Sequence, residues 1–386
     1  MLLATTVPAS GEDEPASKPA PTPTPTPTPS EKGSKLRSPE DGWLDVSAFL
    51  DEKWGFVPVL VPITEPAVGY GAALGLMFIG KPRAEGKAGF HRPSLTTAAG
   101  MLTENGTWGV AAADVRQSLN DRLQTLVVVL DTSVNLDFHG IGSSGELDEH
   151  PLAYNLQPIG GLVQTKYRLG QASRVWGGLS YMFAKTAVSF EAPSETPGLP
   201  AFERSSRVGG LTPSLTYDSR DSIFTPGRGT YVEASGGFFG SALGGEDTFE
   251  RAGLVAMQFL PLHPRWTFGV RGDLDLTFGD IPFYLRPYVT LRGAPVLRYQ
   301  GEHAAKVEGE LRYQFWKRFS LVGFAGTGAA WIGLDNFERT TTVTTGGGGF
   351  RYELARRYKL HMGIDLAFGP DGPAFYVQFG SAWFRP

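Results

Sequence analysis

The 386-residue chain contains no cysteine, which excludes disulfides and thiolate-held metal. Its formal net charge is only −4, so it has neither the basic footprint of a nucleic-acid binder nor a strongly acidic tail. No apolar run approaches the roughly 20 residues a transmembrane helix requires. The longest, Phe56 to Ile63 and Leu126 to Leu130, are interrupted or too short. The histidines form no HExxH pair, no serine sits in a GxSxG elbow, and Gly346 to Gly349 lack the Lys and Ser/Thr of a phosphate loop. Gly140, Gly142 and Gly145 stand at dinucleotide spacing, but an acidic loop follows them in place of a helix. Within that loop, Glu146, Asp148, Glu149 and His150 read as a solvated surface, with a calcium-type site as the alternative. The expectation is a protein without catalytic residues, metal or cofactor.

What the chain does have is glycine and aromatics: 50 Gly, 25 Phe, 13 Tyr and 8 Trp. That mixture fits many short strands, tight turns and aromatic girdles. The clearest strand follows Thr290. There Ala305, Val307, Gly309, Leu311, Tyr313 and Phe315 fall on one face, and Lys306, Glu308, Glu310, Arg312, Gln314 and Trp316 on the other. Charges along one face and apolar groups along the other describe a wall between lipid and a wet lumen. The same alternation recurs at 266–279, where Arg271, Asp273 and Asp275 oppose an apolar row, and at 359–368, where Lys359, His361 and Asp365 do. Because only helices and closed sheets satisfy every backbone group in lipid, the spanning form must be a closed barrel.

Along the chain, residues 1–40 read as the remnant of a secretion signal followed by a Pro/Thr-rich polyproline spacer that cannot bury a core. Residues 41–54 carry a short helix or plug segment, with Ser47 as N-cap and Val46, Phe49, Leu50 and Trp54 as an apolar stripe. From Gly55 to the end, strand-like runs fall near 56–64, 68–80, 94–103, 107–118, 122–133, 153–170, 173–187, 208–219, 228–240, 248–261, 266–279, 303–316, 319–331, 345–355, 359–368 and 373–384. The predicted fold is all-β, a transmembrane antiparallel β-barrel of about 16 strands preceded by a disordered N-terminal segment. The connections agree. Long ones, at 134–152, 188–207, 280–302 and 332–344, alternate with short turns at 119–121, 170–172, 262–265, 317–318 and 356–358, as outer loops and periplasmic turns do.

Four stretches resemble the BamA/TamA superfamily of outer-membrane proteins, also called the bacterial surface antigen family. Gly55 to Phe78 is similar to the opening strands of its short members. Leu215 to Glu233 is close to the family hairpin Y-D-x-R-D-x-x-F-x-P-x-R-G-x-Y, here Tyr217, Asp218, Arg220, Asp221, Phe224, Pro226, Arg228 and Gly229. Pro226, Gly227 and Gly229 suit a turn, and the four charges are able to pair across it. Leu291-Arg292-Gly293-Ala294 stands where the family folds its sixth outer loop inward. The resemblance implies that Arg292 docks on Glu310, with Glu308 or Asp273 beside it, although Gly326 occupies a position where an Asp is common. Last, Phe375, Val377, Phe379, Gly380 and Trp383 resemble the C-terminal signal read by the barrel assembly machinery, with Phe375, Val377, Phe379 and Trp383 expected to face outward.

The resemblance implies a bacterial outer-membrane location and a role in protein insertion, translocation or envelope biogenesis. Its short branch lacks periplasmic POTRA domains. The implied partners are the outer-membrane lipid bilayer, the assembly machinery for the barrel's own insertion, and a separate periplasmic-domain protein; no nucleic acid is expected. Two other classes stay open: a passive pore or transporter for small solutes or lipids, and a surface structural protein or adhesin.

Overall fold

Alternation at a period of two builds almost everything in the computed structural model, which describes residues 36–52, 56–65, 67–80, 92–141, 151–170, 173–190, 202–334 and 340–386. The Pro/Thr spacer up to 35, Trp54 and the acidic loop 142–150 lie outside those residues. Sixteen strands follow in order: β1 (Phe56–Glu65), β2 (Gly69–Gly80), β3 (Ser94–Thr103), β4 (Trp108–Ser118), β5 (Leu123–Phe138), β6 (Leu152–Arg168), β7 (Val175–Phe190), β8 (Phe202–Asp218), β9 (Gly229–Phe239), β10 (Phe249–His263), β11 (Trp266–Gly279), β12 (His303–Trp316), β13 (Phe319–Trp331), β14 (Thr341–Ala355), β15 (Leu360–Gly369) and β16 (Gly372–Phe379). Each pairs antiparallel with its neighbours in sequence, giving one sixteen-stranded sheet. The sheet curls until β1 stands beside β16, a nearly closed barrel.

Apolar side chains line most of the outer surface. Leu60, Leu74, Val110, Val129, Val163, Leu215, Leu311 and Leu366 are all exposed on the outer surface, an arrangement that only a lipid surround makes favourable. Asp273, Glu308, Arg351 and Asp365 are buried on the inside. At the end carrying the short turns, Trp266 stacks on Tyr313 and Trp316 on Phe319, the interfacial aromatics expected of a spanning sheet. Among the described residues no helix is long and apolar enough to cross a membrane.

Several boundaries move from those the pattern predicts. β5, β7 and β8 extend at the loop end to Phe138, Phe190 and back to Phe202, so the wall of β5–β8 is taller than its apolar stretch. The ladder shifts register between Gln314 and Trp316, which turns Trp316 outward against Trp43 and Phe319 instead of into the lumen. The short helix α1 (Ser47–Leu50) has Val46, not Ser47, as its N-cap; the Ser47 hydroxyl instead accepts from the Arg357 N–H. β16 stops at Phe379, five residues earlier than the alternation implies, because Gly380 takes φ +81° and turns the chain into the lumen.

Candidate functional site

The lumen is filled from both ends. From the loop end, residues 280–302 fold inward between two walls. Phe283 packs among Phe138, Tyr154 and Phe190 on β5–β7, while Val289, Leu291 and Ala294 lie against Ala304, Ala330 and Val343 on β12–β14. From the turn end, Leu50 of α1 and Ile223 and Phe224 of the β8–β9 connection join Val57, Ile79, Leu95, Val115 and Leu360 in an apolar floor. Among the described residues, these groups occupy the lumen from both sides of its axis.

Arg292 sits at the centre of the inward loop. Its Nε donates to Glu308 Oε1 at 2.8 Å, and one terminal nitrogen donates to Glu310 Oε2 at 2.8 Å and to Asp365 Oδ2 at 2.9 Å. The guanidinium lies over the Phe324 ring, 3.6 Å from its centroid. Asp365 in turn takes both terminal nitrogens of Arg351, at 2.5 and 2.8 Å. Charges this deeply buried persist only when so paired. Gly293, at φ +92°, donates its N–H to the Tyr376 hydroxyl at 2.9 Å. A Cβ there would press on Ala367 and the Phe368 backbone at 3.2 Å.

Two predicted partners of Arg292 are present, Glu308 and Glu310, and one is not. Asp273 pairs instead with Arg271 and with Lys306, the latter at 3.1 Å, because it lies one rung further toward the loop end of β11. The acid absent at position 326 has a physical substitute. A side chain at Gly326 would meet Leu291 Cδ2 at 2.8 Å, so the loop's own leucine holds that space, and Asp365 supplies the third carboxylate from β15. The glycine run 346–349 finds its use here too. A Cβ on Gly349 would overlap the Asp365 carboxylate, and one on Gly347 would come within 2.6 Å of the Phe324 ring.

The hairpin residues split by role. Asp218 Oδ1 and Oδ2 accept from Arg220 Nε and a terminal nitrogen at 3.0 and 2.8 Å, and Asp218 also pairs with Arg92. Asp221 does not pair with Arg228. Its Oδ1 accepts the backbone N–H groups of Gly227 and Arg228 at 2.9 and 3.2 Å, and Lys359 donates to its other oxygen at 2.7 Å. Those bonds hold the Asp221 carboxyl below the usual carboxylate range, outweighing the upward push of its burial. The Arg228 side chain is exposed and has no ion pair among the described residues. Tyr217 faces out, Phe224 is buried in the floor, the Pro226 carbonyl accepts from Arg312 at 3.1 Å, and Gly229 takes φ +111° where any Cβ would strike the Ser219 backbone.

Of the C-terminal residues, Phe375 and Val377 alternate with the inward Tyr376, and Phe379 packs against the floor. Trp383 does not face outward. It is buried against Tyr231, Met257 and Phe259, and its Nε1 donates to Glu308 Oε2 at 2.5 Å. The tail is further fixed by Gly380 N–H to the His361 carbonyl and Ser381 N–H to the Phe224 carbonyl, at 2.7 and 2.6 Å.

Two features lie outside the predicted set. The fully buried Arg318, in the β12–β13 turn, donates to Asp41 and Asp45 at 2.8 and 2.9 Å and so clamps residues 36–52 onto the barrel rim. The second is the seam. β1 pairs in a ladder only with β2, and β16 only with β15. Across the gap Thr64 Oγ1 both donates to the Phe375 carbonyl at 2.8 Å and accepts its N–H at 3.0 Å. Pro58 and Pro62 remove two donors from β1, and β16 has only eight residues.

The Omp85 superfamily domain matches residues 148–353. Among solved structures, BamA from Haemophilus ducreyi lacking POTRA domains 1–3 is similar over 89% of this chain and 79% of its own, with TM-score 0.53 and 12% identity. CdiB from Escherichia coli is similar over 89% of this chain and 66% of its own, with TM-score 0.58 and 10% identity. CdiB from Acinetobacter baumannii gives 84% and 58%, with TM-score 0.52 and 10% identity. This chain thus spans less than two thirds of the length of either CdiB. No curated protein matches it.

Proposed function

The chain belongs to the Omp85 superfamily of outer-membrane β-barrels, and on that premise we propose that it serves protein insertion, translocation or envelope biogenesis through its wall, at the β1–β16 seam, and not through an axial pore. The observation that carries this reading is the contrast between a lumen occupied by the latched loop and a seam without a backbone ladder. An unpaired strand edge is a template for another strand. Unsatisfied backbone groups facing lipid cost several kcal/mol each, so a client strand that pairs with β1 or β16 relieves that cost.

In this reading Arg292, Gly293, Glu308, Glu310 and Asp365 are a latch that keeps the loop inside while the seam works. The hairpin from Tyr217 to Gly229 and the C-terminal residues from Phe375 to Trp383 tie the turn end to the same network. The assembly machinery would insert the barrel, and a separate protein carrying periplasmic domains would deliver clients to it.

Two measurements test the reading together. In a planar bilayer the full chain is expected to be nearly silent, whereas a steady large conductance would favour the passive pore. Since the chain has no cysteine, Thr64→Cys with Phe375→Cys gives a single lockable seam. Insertion of an unfolded barrel protein into vesicles carrying the locked form should fall to the protein-free rate and return on reduction. Equal insertion by locked and unlocked forms would end the proposal.

A further inference from the structure

At the turn end, on the wall opposite the latch, the lumen holds a second charged cluster of different character. A recess of about 230 Å³ is lined by Arg92, Arg168, Arg174 and Arg220 together with Ser173, Ser219, Trp176 and a single carboxylate, Asp218. The formal excess is three positive charges. Asp218 is committed to Arg220 and Arg92, so nothing described in the recess neutralises Arg168 or Arg174. Arg168 has no ion pair among the described residues, and its Nε is buried without a hydrogen-bond acceptor. Part of the strain is relieved by Trp176, since Arg92 and Arg168 lie over its ring at 4.9 and 4.7 Å from the centroid. A ring quadrupole attracts cations but accepts no hydrogen bond from a fork of N–H groups.

We propose that this recess binds a phosphate group. Planar guanidinium forks match tetrahedral oxyanions bidentately. The recess is large enough for one such group with attached water, and a bound oxyanion would give the buried Arg168 Nε its acceptor. Ser173 accepts the Val175 N–H at 3.0 Å and keeps its own hydroxyl proton to donate. Burial pushes the Arg92 guanidinium down from its ordinary value against the pull of Asp218, with Arg220 adding to the push, and a further anion beside it would oppose that push. The site is independent of the seam. Its occupant is a phosphate from solution or the headgroup of an inner-leaflet phospholipid at the periplasmic rim.

The test uses the full chain in neutral detergent, titrated with inorganic phosphate at constant ionic strength and followed by calorimetry. Saturable uptake is expected, weakened at least about tenfold in Arg168→Gln and in Arg174→Gln and unchanged in Arg116→Gln on the outer surface. Heat-modified mobility confirms that each variant is folded. Absence of saturable uptake, or uptake equal in wild type and both recess variants, overturns the proposal. Reconstitution separates the two sources. Phosphate uptake seen in detergent is lost in phospholipid vesicles if a lipid headgroup occupies the recess, and persists there if the occupant is soluble.

Discussion

The inside of this barrel and its seam are held by very different means. Within the lumen one guanidinium engages three carboxylates, with an arginine behind and an aromatic ring beneath. At the seam one threonine hydroxyl spans two strand edges. A buried ionic network with one partner removed costs several kcal/mol, whereas the two neutral hydrogen bonds of that hydroxyl contribute about 1 kcal/mol each. The molecule therefore concentrates rigidity in its lumen and leaves compliance at the seam, the distribution that the proposed seam function calls for.

The sharpest way to break that comparison is Arg292→Ala, which strands Glu308, Glu310 and part of Asp365 in a dry site. We expect a loss of about 3–5 kcal/mol, read as a lower denaturant midpoint and loss of heat-modified mobility; an unchanged midpoint would remove the interior half of the contrast. Next comes Arg318→Ala, expected to cost about 2–3 kcal/mol through its charged hydrogen bonds and to raise hydrogen exchange across residues 36–52. Arg318 holds the Asp41 carboxyl down to about 2. A depressed carboxylate contributes stability above its unfolded value of 3.8 and loses it as pH falls through about 2. The wild-type segment should thus stay docked from pH 8 to pH 4 and loosen only below that. The smallest effect is predicted for Thr64→Val, no more than about 2 kcal/mol on overall stability. That change should nonetheless quicken exchange in β1 and β16, and a destabilisation rivalling Arg292→Ala would contradict a weak seam.

The barrel was legible because period-two alternation is local: each strand announces itself in about ten residues without knowledge of its neighbours. Arg292 and its two acids were legible for a related reason, since Glu308 and Glu310 share one face of one strand. Asp365 was visible only as another inward acid. It lies 73 residues from Arg292, and no pattern in one sequence states which inward charges meet. Trp383 misled for the opposite reason. Alternation through Phe375, Val377 and Phe379 extrapolates outward, and one glycine in the left-handed region reverses it. Arg318, Thr64 and the arginine recess carry no periodic signal at all, because turns and edges are defined by what stands beside them in space.

Glu308 has two oxygens, one given to the inward loop through Arg292 and the other to the C-terminal tail through Trp383. The inward loop and the tail thus share one acid, and by thermodynamic reciprocity any bias that docking one places on the other is returned to the same degree. One carboxylate in the middle of the barrel is therefore the physical link between the inward loop and the C-terminal tail, and it makes that link without passing through the wall.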